Sequence, residues 1–266
     1  MEKVGYLGPE GSYSHIAART LRPNAELCGY SSFRLAVEAL CAGVCSAVAL
    51  PIENSLNGSV AQVTDLLQYT ENIIAFEECV VKIDHRLAVL KGADYSGISR
   101  IYSHEQALAQ CGQFIFKSFP NAELIATQST AAGLKMLKSA SDACIVGAHT
   151  DCPNVVLSKE NIADEKNNLT HFLLIKRGAA ADLSASRRVY FSATCNHAAG
   201  ALVGLLSVIK NGGLNMTKIQ SRPIKDKAGE YRFFVEVEGD ISDSHIKNVL
   251  AEIKSAANSF KILGAY

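Results

Sequence analysis

The 266 residues carry no excess of either charge: 26 lysines and arginines stand against 26 aspartates and glutamates. That balance removes the basic footprint of a nucleic-acid binder, while leaving room for a local basic pocket for a small anion. Long apolar runs are missing too, since none approaches the roughly 18 residues a membrane span requires. The first residues, MEKVGYLG, contain no charged stretch leading into an apolar segment, which predicts no secretory signal. CxxC pairs are absent. The eight cysteines (Cys28, Cys41, Cys45, Cys79, Cys111, Cys144, Cys152 and Cys195) are scattered, with no histidine at ligand spacing. Most sit among Ala, Val and Ile, so they read as small buried hydrophobes rather than disulfides or zinc ligands. GxGxxG, a phosphate loop, a Ser-His-Asp order and any other cofactor motif are missing as well. These absences predict a cytoplasmic, metal-free and cofactor-free protein, with neither nucleic acid nor membrane as partner.

What is there is the composition of a globular chain, 48% hydrophobic and 20% charged, long enough for one large domain or two ordinary ones. Up to residue 176, strand-like and helix-like runs alternate. Strands are predicted at 3–8, 25–30, 46–50, 72–83, 86–90, 122–126, 142–147 and 170–176. Helical spacing of apolar residues marks 32–43 and 103–119. This alternation predicts mainly parallel sheets covered by helices. Residues 177–187, RGAAADLSASR, are small, polar and aperiodic and read as a linker. Beyond it the order becomes strand 188–195, helix 200–211, strands 214–221 and 230–238, helix 243–257 and strand 259–264, the ferredoxin-like βαββαβ unit.

Polar residues gather where predicted strands end. GPEGSYSH (8–15) has two glycines and a proline around a serine-rich turn, and YSH returns at 102–104. Each serine there is either an N-cap or part of a pair of helix N-termini facing one anion. LPIENSLNGSV (50–60) places Glu53, Asn54, Ser55, Asn57 and Ser59 within seven residues, more hydrogen-bonding side chains than a turn needs. QST (128–130) allows capping or ligand contact. NNLTHFLLI (167–175) loads Asn167, Asn168, Thr170 and His171 onto the entrance of a core strand. Together these segments predict a cleft for a small, oxygen-rich anion at the carboxyl ends of several strands.

The ordered motifs YLGPEGSYSHIAA (6–18), LPIENSLNGSV (50–60), IYSHEQALAQC (101–111), QSTAAG (128–133) and NLTHF (168–172) resemble the prephenate dehydratases. GALVGLLSVIKNGGLNMTKIQSRP (200–223) and FKILGAY (260–266) are similar to the ACT regulatory domain that follows in the monofunctional bacterial enzymes. The resemblance implies an α/β two-lobed catalytic domain, like a type II periplasmic binding protein, plus an α+β ferredoxin-like ACT domain. Its boundaries are 1–177 for the catalytic part, with lobes of roughly 1–78 with 160–177 and of 79–159, then the linker 178–187 and the ACT domain 188–266. The implied reaction removes carbon dioxide and water from prephenate to give phenylpyruvate, a carbon–oxygen lyase step without a cofactor, on the way to phenylalanine.

The resemblance further assigns Thr170 as donor to the leaving hydroxyl, with Asn54, Ser103 and Gln110 binding or orienting substrate oxygens. Seven residues separate Ser103 from Gln110, close to two helical turns, so both are expected to face one cleft. Ser55, Ser129, Thr130, His171 and Phe172 are further substrate contacts, with capping still open for Ser129 and Thr130, and a core role for Phe172. The family usually has arginine where this chain has His171. That exchange replaces a permanent bidentate donor by one whose charge depends on pH. It keeps open a catalytically weakened phenylalanine-binding regulator, and arogenate is an alternative substrate. L-Phenylalanine is the implied allosteric inhibitor, held by Gly200, Ala201 and Leu202 with Ser221, Arg222 and Pro223, in a homodimer or homotetramer assembled through ACT and catalytic domains. Gln220 stands where the family commonly has glutamate.

Overall fold

The structure, a computed structural model, describes residues 2–224 and 229–266. Its first strands are β1 (Lys3–Leu7), β2 (Glu26–Tyr30), β3 (Ala47–Asn54), β4 (Gly58–Ser59) and β5 (Ile73–Lys82). Then come β6 (His85–Leu90), β7 (Arg100–His104), β8 (Glu123–Thr127), β9 (Asp142–Gly147) and β10 (Val155–Leu157). The last are β11 (Leu169–Arg177), β12 (Arg188–Thr194), β13 (Met216–Pro223), β14 (Tyr231–Glu238) and β15 (Ser259–Ala265). The α-helices are α1 (Tyr13–Leu21), α2 (Phe33–Cys41), α3 (Ala61–Tyr69) and α4 (Glu105–Gln110). They continue with α5 (Gly112–Ser118), α6 (Thr130–Leu134), α7 (Ala201–Asn211) and α8 (Ser244–Ala256).

Two compact units contain these elements, one of Met1–Ala36, Ala49–Val60 and Cys79–Phe172, the other of Val37–Val48, Ala61–Glu78 and Leu173–Tyr266. In the first unit β1 pairs with β2 and a separate sheet runs β10-β6-β9-β7-β8, while β3, β5 and β11 contribute residues to both units. β7 pairs parallel with β8 and β9, whereas β6 and β10 are antiparallel. The second sheet is therefore mixed rather than mainly parallel, since β6 and β10 lack the helical crossover that parallel neighbours need. Every residue of β9, DACIVG, is buried, as expected of a central strand covered on both faces. Among the described residues no helix is long and apolar enough to cross a membrane.

The predicted helix over 103–119 starts later and is broken. Residues 100–104 form β7, and Cys111 separates α4 from α5. Asp164 explains the break: its carboxylate accepts from the amides of Gln113 (3.0 Å) and Phe114 (3.1 Å), capping the second helix. All eight cysteines are free, and burial pushes the Cys111 and Cys144 thiols up to about 12.

In the second unit β12-α7-β13-β14-α8-β15 reproduces the expected βαββαβ order within two residues at each end, with strands arranged β13-β14-β12-β15. One face of this sheet packs Val189, Phe191, Val235 and Val237 against Leu205 and Ile209 of α7 and Ile246, Leu250 and Ile253 of α8. The opposite face carries the buried rings of Tyr190 and Phe234 together with polar and charged side chains, and meets α3. Ser192 Oγ donates to Gln68 Oε1, and Arg222 reaches Ala61 O and Asp65 Oδ1, both at 2.9 Å. Lys261 Nζ donates to the carbonyls of Leu67, Gln68 and Thr70 at 2.8, 2.8 and 2.9 Å, meeting the negative end of α3 with a positive charge. These contacts place α3 with the second unit, so the division by contact runs differently from the division by sequence. Within 178–187 a short 3₁₀ turn, Ala180–Asp182, brings Ala180 and Leu183 onto the βαββαβ core.

Candidate active site

The first unit encloses a cavity of about 440 Å³. Its wall takes Asn54 from the end of β3, His85 from the start of β6, His104 from the end of β7, and Gln110 from the end of α4. Ser129 and Thr130 at the head of α6, and Asn168, Thr170 and Phe172 at the entrance of β11, complete the polar rim. None of the residues lining it is lysine or arginine. A negatively charged ligand would therefore meet neutral donors there.

Asn54 organises the wall. Its Oδ1 accepts from the amides of Leu56 and Asn57, both at 3.1 Å, closing a side-chain turn in the β3–β4 hairpin. That commitment fixes the amide orientation, because a flipped Asn54 would turn Nδ2 toward two N–H groups. Nδ2 then donates to Asn168 Oδ1 at 2.6 Å, Thr170 Oγ1 at 2.9 Å and Leu169 O at 3.2 Å. Asn168 and Thr170 are 1% and 8% exposed. Since Thr170 Oγ1 accepts from Asn54, its own hydrogen points elsewhere, and no described group of the protein receives it. The arrangement leaves a hydroxyl donor available to a ligand in the cavity that Thr170 lines.

On another part of the wall His85 Nε2 lies 2.8 Å from Gln110 Oε1. Burial holds the His85 imidazole below the usual histidine range, with the Gln110 bond and Asp84 working the other way. Tyr13, also in the wall, packs edge-on to that ring at 6.2 Å between centroids. Its hydroxyl donates to Asp84 O (2.7 Å) and accepts from Asp84 N (3.0 Å).

Of the nine residues expected at the substrate, six line the cavity: Asn54, Gln110, Ser129, Thr130, Thr170 and Phe172. Ser129 also caps α6 through Ala132 N, and Phe172 also packs with Ala17 and Val81. The other three are not in the wall. Ser103 is a strand residue, fully buried, and its Oγ donates to Ile145 O at 2.7 Å. Helical spacing to Gln110 therefore does not apply, and His104, one residue on, faces the cavity instead. Ser55 staples the β3–β4 turn to β11, its Oγ accepting from Leu169 N at 2.9 Å. His171 falls between Thr170 and Phe172 on a strand whose side chains alternate, so its ring faces the other side.

The repeated YSH is also not a structural repeat, since Ser12 caps α1 and His104 caps α4. Asn168 and His85 were missed as site residues. Period two from Thr170 marks Asn168, whereas nothing in IDHRL singles out His85.

In the second unit Gly200 adopts φ 82° as the cap of α7, the left-handed region where glycine is favoured, and no atom would crowd a Cβ there. Leu202 packs on the apolar core. Ser221 and Pro223 are exposed, but Arg222 points to the opposite face and is held by Ala61 and Asp65. The six expected phenylalanine contacts thus do not form one set: Arg222 is committed to α3.

A family model described as prephenate dehydratase matches residues 4–180. The chain belongs to the prephenate dehydratase family. A prephenate dehydratase of Amycolatopsis methanolica is 30% identical over 272 residues, covering 100% of this chain and 88% of that protein. A bifunctional chorismate mutase/prephenate dehydratase of Enterobacter agglomerans is 32% identical over 274 residues, 99% of this chain and 70% of the relative. Among solved structures, the prephenate dehydratase of Arthrobacter aurescens in complex with L-Phe superposes with a TM-score of 0.87 at 26% identity, covering 99% of this chain and 90% of that one.

Proposed function

We propose that this member of the family converts prephenate to phenylpyruvate, carbon dioxide and water, with Thr170 as the proton donor. The observation that carries the role of Thr170 is its hydrogen-bond geometry: Asn54 occupies the acceptor side of Oγ1 and leaves the hydrogen for the ligand. In the reaction the bond from the ring to its carboxylate breaks, and that electron pair enters the ring. The C–O bond at the opposite carbon breaks, with its pair leaving on oxygen. Thr170 passes a proton to the departing hydroxyl, and solvent restores it, so each turnover consumes one proton. Positioned proton donation contributes typically about 10²–10⁴-fold. Gln110, Ser129 and Thr130 supply neutral donors for the carboxylates.

Residues 1–177 form the catalytic part in this reading, two lobes of the kind found in type II periplasmic binding proteins, followed by the connecting segment 178–187. The βαββαβ unit, 188–266, is an ACT domain that binds L-phenylalanine near Gly200–Leu202 and Ser221 and lowers activity. Its strand order and the L-Phe in the Arthrobacter structure support that assignment. A homodimer or homotetramer in the cytoplasm completes the proposal. The reading of a weakened, purely regulatory protein rested on His171. The absence of His171 from the cavity lining favours the enzymatic reading over it.

The test is phenylpyruvate formation by purified protein, with prephenate and arogenate side by side and with added L-phenylalanine. Turnover of prephenate, inhibited by phenylalanine, is the expected result. Turnover of arogenate alone would replace the substrate, and phenylalanine binding without turnover would overturn the enzymatic reading.

A further inference from the structure

The second unit holds a cavity of its own, about 650 Å³, within the range that small-molecule sites occupy. Three elements enclose it: the connecting segment through Ala180 and Leu183, α8 through Leu250 and Ala251, and β15 through Phe260 and Ile262. The segment is fixed at both ends. Asp182 Oδ2 accepts from Ala179 N at 2.7 Å, while Ser186 Oγ donates to Gly239 O at 3.2 Å and accepts from Ile241 N at 3.0 Å. The cavity therefore stands ready before any ligand arrives. Leu183, Phe260 and Ile262 pack on the βαββαβ core with part of their surface and line the cavity as well. Only two lining residues carry charge, Lys247 and Lys254, and no acid is among them. They stand two turns apart on one face of α8, and the exposed Ala251 between them is too small to close off the apolar wall. Lys247 Nζ gives one hydrogen to Ser242 O at 3.0 Å and keeps two. Asp240, the acid whose charge Lys247 meets, is already held by Ser186 N, Ser242 N and Ser242 Oγ. Lys254 has no hydrogen bond or ion pair among the described residues.

We propose that this cavity is a binding site for small carboxylates that have an apolar, aromatic body and no ammonium group. The apolar wall takes the body out of water. The two lysines meet the carboxylate at the rim, and their methylene stems extend the apolar surface. An amino acid of the same body is refused, because its ammonium group would face two like charges and find no acid to receive it. The cavity thus separates 2-oxo acids and other deaminated acids from the amino acids they correspond to. Neither Gly200–Leu202 nor Ser221 lines it, so it is separate from the phenylalanine site proposed above. Binding here does not depend on the dehydratase reaction.

Three matched ligands test it on the full chain. 3-Phenylpropionate and L-phenylalanine differ only in the ammonium group, and 3-phenylpropionamide removes the negative charge. Intermolecular NOEs between the phenyl ring and the methyls of Leu183, Leu250 and Ile262 locate the ligand. 3-Phenylpropionate should show them, with a dissociation constant of about millimolar or tighter. The amide should bind there about tenfold more weakly, and L-phenylalanine should give no NOE to these methyls. Lys254→Glu should weaken 3-phenylpropionate about tenfold, while Lys254→Arg holds it within about threefold. No NOE to these methyls at about ten times the millimolar concentration would overturn the site. Equal binding of the amide or of L-phenylalanine, or no loss in Lys254→Glu, would overturn the chemistry assigned to it. Methyl resonances that move on dilution of the protein alone would also overturn it, by showing that a second copy of the chain covers the cavity.

Discussion

The wall around Thr170 and the sheet face beneath α3 both bury polar side chains, but of different kinds. Around Thr170 the participants are neutral: the amides of Asn54, Asn168 and Gln110, one hydroxyl and one imidazole. Their donors and acceptors do not cancel, and the Thr170 hydrogen is left over. Beneath α3 several participants are charged and paired, although Gln220 Oε1 and Arg232 Nε on the same sheet face have no hydrogen-bond partner among the described residues. Arg222 meets Asp65, Lys261 meets three carbonyls, and Glu236 takes Arg188 at 3.6 Å together with the Tyr266 and Thr217 hydroxyls. Burial and the Glu236 carboxylate raise the Tyr266 phenol well above its ordinary range. Neutral groups with capacity to spare suit a ligand that comes and goes, whereas matched charges suit a permanent junction, since an ion pair broken inside a protein is costly.

After the loss of Thr170 itself, the largest effect should come from Asn54→Asp. The aspartate keeps Oδ1 for the Leu56 and Asn57 amides but replaces the donor that orients Thr170 by a second acceptor. Turnover should fall about 100-fold or more, with a modest change in Tm, read by steady-state kinetics and thermal unfolding. Retained turnover would show that the neutral network does not position the hydroxyl.

The junction should respond the other way. Substituting Arg222 and Asp65 singly and together should give a coupling energy of about 1 kcal/mol that weakens with added salt, because the pair is partly exposed. The uninhibited kcat should move little. A large kcat effect at Arg222 would mean that the two regions are less distinct than their chemistry indicates.

Smaller still is the expectation at position 171. His171→Arg should leave KM for prephenate within about twofold, since the side chain alternates away from the cavity. A marked gain in affinity would restore the substrate contact that the family arginine suggested.

The pH dependence should be smallest of all. Burial lowers the folded-state pKa of His85 below its unfolded value of 6.5. Below the unfolded value the unfolded chain binds the extra proton first, so stability carried by the neutral ring is complete above pH 6.5. It is lost as pH falls through the folded value. The stability difference between wild type and His85→Gln should therefore change between pH 7 and 5 and stay flat above 7. Denaturant unfolding at each pH measures it.

Much of this was legible in the sequence, and the exceptions have local causes. Period-two and period-3.6 patterns placed the βαββαβ unit, the polar strand ends pointed to Asn54 and Thr170, and the family resemblance added Gln110, which lines the same cavity. Ser103 was misplaced because the helical pattern of 105–118 extends smoothly back over a strand. His171 was misplaced because a motif names neighbours without saying which face each takes. The partnership of α3 could not be read, since Asp65 looks like any solvated helix residue until Arg222, 157 positions later, is folded against it. His85 was invisible for a related reason: only the folded chain brings it to the cavity wall.

The central claim is that the Thr170 hydroxyl, not its shape, performs the proton donation. Turnover of prephenate by Thr170→Ser and Thr170→Val tests it most directly, because valine matches threonine in shape and lacks only the hydroxyl. Serine should remain within about tenfold of wild type and valine should lose about 100-fold or more in kcat with an unaltered fold. A valine variant that turns over prephenate like the wild type would contradict the account.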